Sequence, residues 1–145
     1  MRIVCRSVTA TVLTAVSLGA AIPAAAQPAP PPTPTITQVP ERPQADGFTP
    51  FVDNPAIVDP RPQSIESWGR LPDDRALVVR FTSGTPECFG VHAEVQETAD
   101  IVAVKVRHGT LPEAVNRACI AIGVFASLPV GLQAPLGNRA VVSIT

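Results

Sequence analysis

The sequence predicts an all-β protein, a small antiparallel sandwich or open barrel with one disulfide, preceded by a signal peptide and a proline-rich linker. Three observations carry that expectation. Apolar residues recur at every second position in several short runs between residues 76 and 144. Clusters of Pro, Gly, Asp and Asn separate those runs. Two cysteines, Cys88 and Cys119, lie inside the patterned region.

The chain opens "MRIVCRSVTATVLTAVSLGAAIPAAAQ". Arg2 and Arg6 form a basic start, Ser7 to Ile22 is uncharged and apolar, and Ala24 and Ala26 occupy the small-residue positions of a cleavage site. Residues 1–26 therefore read as a secretory signal peptide. The apolar core is shorter than the roughly 20 residues that span a bilayer comfortably, so no membrane span is expected after cleavage. Cys5 precedes the apolar core and does not form a lipidation site behind it. Removing 1–26 takes away two basic residues and no acidic one, which leaves nine Lys and Arg against 12 Asp and Glu, a charge of −3. Such a balance speaks against nucleic acid as a partner, since phosphate binding rests on clustered Lys and Arg.

Residues 27–63 carry recurrent proline and no hydrophobic period. Proline fixes φ and removes a backbone donor, so this stretch reads as a largely disordered, partly extended linker. Phe48, Phe51, Ile57 and Val58 mark a part that packs irregularly on the domain. The β-domain itself is expected over 64–145.

"SIESWGR" and "RALVVRFT" flank the turn-forming "LPDD". In the second run Leu77, Val79 and Phe81 alternate with Val78 and Arg80, a strand period. Trp68, the one tryptophan, reads as core or as cover for a sheet edge. "VHAEVQE" and "VAVKVRH" then form a hairpin around "TAD". When residues whose numbers sum to 199 pair, Val91, Ala93 and Val95 share a face with His108, Val106 and Val104, while Glu94 faces Lys105 and His92 faces Arg107. A slip by one residue would set valine against charge. After Thr110, residues 111–116 read as a turn or one helical turn, with Thr110 and Glu113 matching a capping box. The apolar even positions Ile120 to Leu132 argue for a strand, broken or bulged near Pro129. "APLGN" is a turn, and "RAVVSIT" a last strand with Ala140, Val142 and Ile144 on one face.

The cysteines and histidines raise a choice between staple, metal site and nucleophile. In an oxidising compartment an even count of two predicts a Cys88–Cys119 disulfide. Closing a loop of about thirty residues stabilises by roughly 3.5–4 kcal/mol in the chain-entropy model. A zinc site from Cys88, His92, His108 and Cys119 has suitable ligand types, but its spacing matches no common finger, and the hairpin register turns the two histidines to opposite faces. A Cys–His nucleophile needs a free thiol. No G-x-S-x-G, phosphate loop or H-E-x-x-H is present. Asp73, Asp74, Glu94, Glu97 and Asp100 read as solvated turn and polar-face residues. No catalytic, cofactor or metal residue is therefore expected.

Taken together, "SWGRLPDDRALVVRFTSGTPECFGVHAEVQETADIVAVKV", "ACIAIGV" and "APLGNRAVVS" resemble an uncharacterised small β-domain family of secreted proteins and lipoproteins of actinobacteria. There too a cysteine follows the first strand, an "E-T-x-D" turn joins a valine-rich hairpin, and a second cysteine precedes a "P-L-G-x-R-x-V-V" ending. The resemblance spans residues 65–144. It implies the architecture, the disulfide and export, and adds no activity, since the family has none established. Lack of a lipobox cysteine sets this chain apart from the lipoprotein members. The expected function is that of an exported, non-enzymatic interaction or structural module, secreted or in the cell envelope, with a protein or envelope component as partner. Two alternatives belong to other classes. One is a secreted hydrolase whose residues converge only in the fold. The other is an inhibitor-like protein presenting a loop such as "TSGTPECFG".

Overall fold

The computed structural model describes residues 30–43 and 46–145. The expected signal peptide, its cleavage site and residues 27–29 lie outside the described residues. Nine strands follow in chain order: β1 (Ile36–Gln38), β2 (Thr49–Pro50), β3 (Val58–Gln63), β4 (Ser67–Arg70), β5 (Ala76–Ser83), β6 (Phe89–Glu97), β7 (Ile101–Thr110), β8 (Val124–Gly131) and β9 (Ala140–Ile144). They make two curled sheets packed as a sandwich, and a disulfide joins Cys88 to Cys119. The fold is all-β, as the period-2 runs predict.

The β6–β7 hairpin has the register that its sequence predicts. Val91 lies opposite His108, His92 opposite Arg107 and Glu94 opposite Lys105. Val91, Val104 and Val106 are fully buried, while Ala93, Val95 and His108 are half-buried on the same face. On the other face the Glu94 carboxylate lies 3.5 Å from Lys105 Nζ and 3.6 Å from Arg107 Nε. Thr98 closes the turn: its Oγ1 accepts from the N–H groups of Asp100 and Ile101. This compensates for a loop that lacks the favoured Asn-Gly chemistry.

β7 is the centre of its sheet. β6 pairs along one side of it, and the other side is shared by β9, parallel, and β3, antiparallel. In the facing sheet the order is β2-β8-β5-β4. Leu77, Val79 and Phe81 of β5 and Ala126 and Leu128 of β8 are buried against the hairpin valines. The leucine, valine and phenylalanine side chains among them each contribute about 1.5–3 kcal/mol through burial. Pro129 stands inside β8, opposite Val78. The carbonyl of Ser127, two residues earlier, points to the β2 side, where it accepts from Phe51 N–H at 2.8 Å. By the same alternation Pro129 turns its missing donor to that side, and the ladder with β5 stays whole.

Two expectations are corrected. The first concerns residues 27–63 as a largely disordered linker and 64 as the domain start. The compact unit begins at Pro32, and the described part of the segment supplies β1, β2 and β3. Its two crossings join the sheets. Ile36 pairs with Ile144 in β9; the chain then passes to β4, where Trp68 N–H donates to the Pro40 carbonyl at 3.1 Å and Arg42 N–H donates to the Trp68 carbonyl at 2.8 Å. Further on, Thr49 and Pro50 run parallel to Ala126 and Ser127, and the chain crosses back to β6, where Asn54 N–H donates to the Val91 carbonyl at 2.8 Å. Val39, Phe51 and Ile57 are buried on the way. Proline is compatible with this role because an edge segment needs donors on one side only.

The second correction concerns residues 120–123, expected as the start of a strand. A single 3-10 turn covers Pro112–Ala114, and β8 starts only at Val124. The alternating Ile120 and Ile122 are 60% and 55% exposed. In β9, Ala140, Val142 and Ile144 share one face, as expected; it is the half-buried one, and Val141 and Ser143 are buried on the other. A double valine at 141–142 leaves the two faces indistinguishable by period.

Candidate functional site

Cys88 is the residue before β6 and is 5% exposed. Its carbonyl accepts from Leu111 N–H at 2.9 Å, so the base of the hairpin is already closed where the bridge begins. Cys119 lies 6.1 Å away, Cα to Cα, and 31 residues later in sequence. Between the 3-10 turn and β8, residues 115–123 are exposed, except for the half-buried Cys119. Arg117 N–H still donates to the Ala114 carbonyl at 3.0 Å; residues 118–123 have no regular secondary structure. Val115, Ile120 and Ile122 are 41%, 60% and 55% exposed. The bridge is thus a covalent anchor in the middle of an apolar, solvent-facing loop. A groove of about 320 Å³ runs under it, bordered by Asp59, Phe89, Asn116, Arg117 and Cys119. Asp59 and Asn116 have φ of +51° and +69°, a conformation that short polar side chains tolerate.

The stretch "TSGTPECFG", weighed as a presented loop under the inhibitor alternative, forms a tight turn. Cys88 and Phe89 N–H both donate to the Thr85 carbonyl, at 3.1 and 3.0 Å. The Phe89 ring covers Gly84 so closely that a Cβ there would lie 2.2 Å from it. The exposed aliphatic stretch is on the other side of the bridge.

Of the four residues weighed as zinc ligands, the fold joins only Cys88 and Cys119, and it joins them to each other. His92 is on the polar face of β6, where its Nδ1 lies 3.0 Å from Asp53 Oδ1. The same carboxylate oxygen accepts Ala93 N–H at 2.7 Å, so Asp53 fastens the crossing segment to the edge of β6. His108 is on the opposite face, and its buried Nδ1 has no hydrogen-bond partner. Among the described residues no three of His, Cys, Asp and Glu are grouped to hold a metal ion.

Glu97 departs from its expected solvated position. Its carboxylate accepts Gln133 N–H at 2.7 Å, Ala134 N–H at 3.2 Å and Arg139 Nη1 at 2.8 Å. Arg139 Nη2 in turn donates to the carbonyls of Ala134 and Pro135 at 2.7 and 2.8 Å. The side chains are 14% and 9% exposed. The Gln133 N–H first, and then the Arg139 guanidinium, hold the Glu97 carboxyl below its ordinary range. This clasp is structural: it fixes the β8–β9 connection, and Leu136 within that connection is buried. Trp68, read as core or edge cover, is core. It is 4% exposed, and its indole N–H donates to the Val39 carbonyl at 3.1 Å.

The disulfide is the mark of an oxidising, extracellular-type compartment. Among the described residues no helix is long and apolar enough to cross a membrane. No family model, no curated protein and no solved structure matches the chain.

Proposed function

We propose that this chain is an exported, non-enzymatic, disulfide-stapled β-domain that serves as an interaction module of the cell envelope or extracellular space and presents residues 115–123 to a protein or envelope component. The observation that carries the reading is the exposure of Val115, Ile120 and Ile122 on a loop that Cys119 anchors to the base of the hairpin. Neighbouring exposed aliphatic side chains mark interaction surfaces. Anchoring a loop beforehand reduces the ordering cost of binding.

The test is a cross-linking capture from cell-envelope extract, with the mature domain and its Ile120→Ser/Ile122→Ser variant as baits. A partner captured by the parent and lost by the variant, at equal thermal stability, is the expected result. Equal capture by both baits would remove the loop from the reading. The same braced loop supports a second reading, inhibition of an extracellular protease. Stoichiometric loss of protease activity on titration, abolished by the same two substitutions, distinguishes it.

A further inference from the structure

Arg80 is the most deeply buried charged residue among those described, 3% exposed. Its polar contacts are few. Nη1 donates to the Arg42 carbonyl at 3.2 Å and, weakly, to the Trp68 carbonyl at 3.5 Å. The guanidinium carbon lies 5.3 Å from the centroid of the Phe48 ring. No carboxylate is within 4.0 Å of it; the ion pairs of the described residues go to Arg70, His92, Lys105, Arg107 and Arg139. The missing counter-ion is not elsewhere in the chain, because all 12 acidic residues fall between Glu41 and Glu113, within the described residues. The acid nearest in the sheet, Glu66, is held by the Thr82 hydroxyl at 2.7 Å. A buried cation without a counter-ion is costly, and two backbone carbonyls and a ring face compensate only in part. An apolar residue would fill a structural position on β5 at lower cost.

Residues around this guanidinium open onto a cleft. Arg42, Phe48 and Ser67, the last being the cross-strand partner of Arg80, line a space of about 360 Å³ with Asp46, Glu66 and Phe125. That is the small end of the range for ligand sites. Phe125 is 64% exposed and stands edge to face with Phe48, ring centroids 6.4 Å apart. The cleft thus combines aromatic walls, Arg42 and the carboxylates of Asp46 and Glu66 in its lining, with Arg80, a buried cation without a counter-ion, one layer behind them.

We infer that this cleft binds a small organic carboxylate, its anionic end drawn to Arg80 and Arg42 and its apolar body lying against Phe48 and Phe125. The site is independent of the loop reading above and stands on other residues. Phenylacetate titrated into the whole chain, followed by NMR of the arginine side-chain N–H signals, tests it. Saturable binding that perturbs the Arg80 signal is expected, with phenylacetamide at least about tenfold weaker. Arg80→Met should weaken phenylacetate at least about tenfold while unfolding at the same or a higher temperature, because it removes a buried unpaired charge. Phe125→Ala, at an exposed position, should weaken binding with no change in stability, and it decides the matter if Arg80→Met does not fold. Absence of saturable binding, equal affinity for acid and amide, or equal competition by inorganic sulfate would overturn the assignment. So would an Arg80→Met variant that melts earlier and binds normally, which would make Arg80 a clamp on the Arg42 and Trp68 carbonyls.

Discussion

The β6–β7 hairpin and the proline-rich segment 30–63 supply strands to one sandwich, and they differ in where the instructions for those strands reside. The hairpin carries its own partner 5 to 21 residues away, from Glu97 with Val102 to Phe89 with Thr110, and a slip in register would move charge into the core. Segment 30–63 has no partner of its own. β1 lies on β9, β2 on β8, and Pro40 to Arg42 on β4. One strand is written as a period; the other is written as the absence of obstacles along an edge that another part of the chain offers. Recurrent proline is therefore compatible with two opposite outcomes, a solvated spacer and a fitted edge. Buried residues such as Val39 and Phe51 decide between them.

Removing the segment breaks this comparison most directly. Deletion of residues 30–43 strips β1 and the crossing from β9 and β4, and uncovers Val39's site beside Trp68. The expected loss is on the order of 4–5 kcal/mol, that of emptying a large core site, read as a lower urea midpoint. A spacer would leave the midpoint unchanged.

The cysteines sharpen the comparison from the hairpin side. Cys88→Ser, Cys119→Ser and the double variant should each lose about 2–5 kcal/mol, and the losses should not add, because all three remove one bond. Equilibrium unfolding of the three variants checks both statements. Additive losses would mean that the two side chains act separately.

Glu97 gives the smallest effect and a pH signature. It ends β6, yet its partners are the backbone of residues 133 and 134 and Arg139. Glu97→Gln should cost about 2 kcal/mol near neutral pH, since it leaves a largely buried guanidinium unpaired. The folded carboxyl titrates below its unfolded value, so its contribution is fully present above the ordinary carboxylate range and is lost as pH falls through the lowered value. The gap between parent and variant should accordingly close in acid, as measured by urea midpoints across pH.

What was legible in the sequence follows the same division. The register of the hairpin, the buried even positions of β8 and the Cys88–Cys119 pairing all rest on local pattern or on a count of two. Arg80 reads as the polar face of β5 because nothing near it announces that Phe48 and Arg42 will cover that face. Glu97 reads as a solvated residue because its donors are 36 and 37 positions away. Ile120 and Ile122 have a strand's spacing and no strand. Alternation reports which side chains point the same way, and burial depends on what arrives opposite them.

Pairing of β1 with β9 sets an order of events. Ile36 meets Ile144, so the first described strand closes on the last, and the edge of β4 is covered by the segment that follows β1. A chain delivered in sequence order must hold its early prolines without a partner until β9 has arrived. Contacts so distant along the chain make for slow closure, in the millisecond-to-second range of β-sandwiches. Proline in the waiting segment has a second use during that interval: a stretch poor in backbone donors is a poor template for the wrong strand.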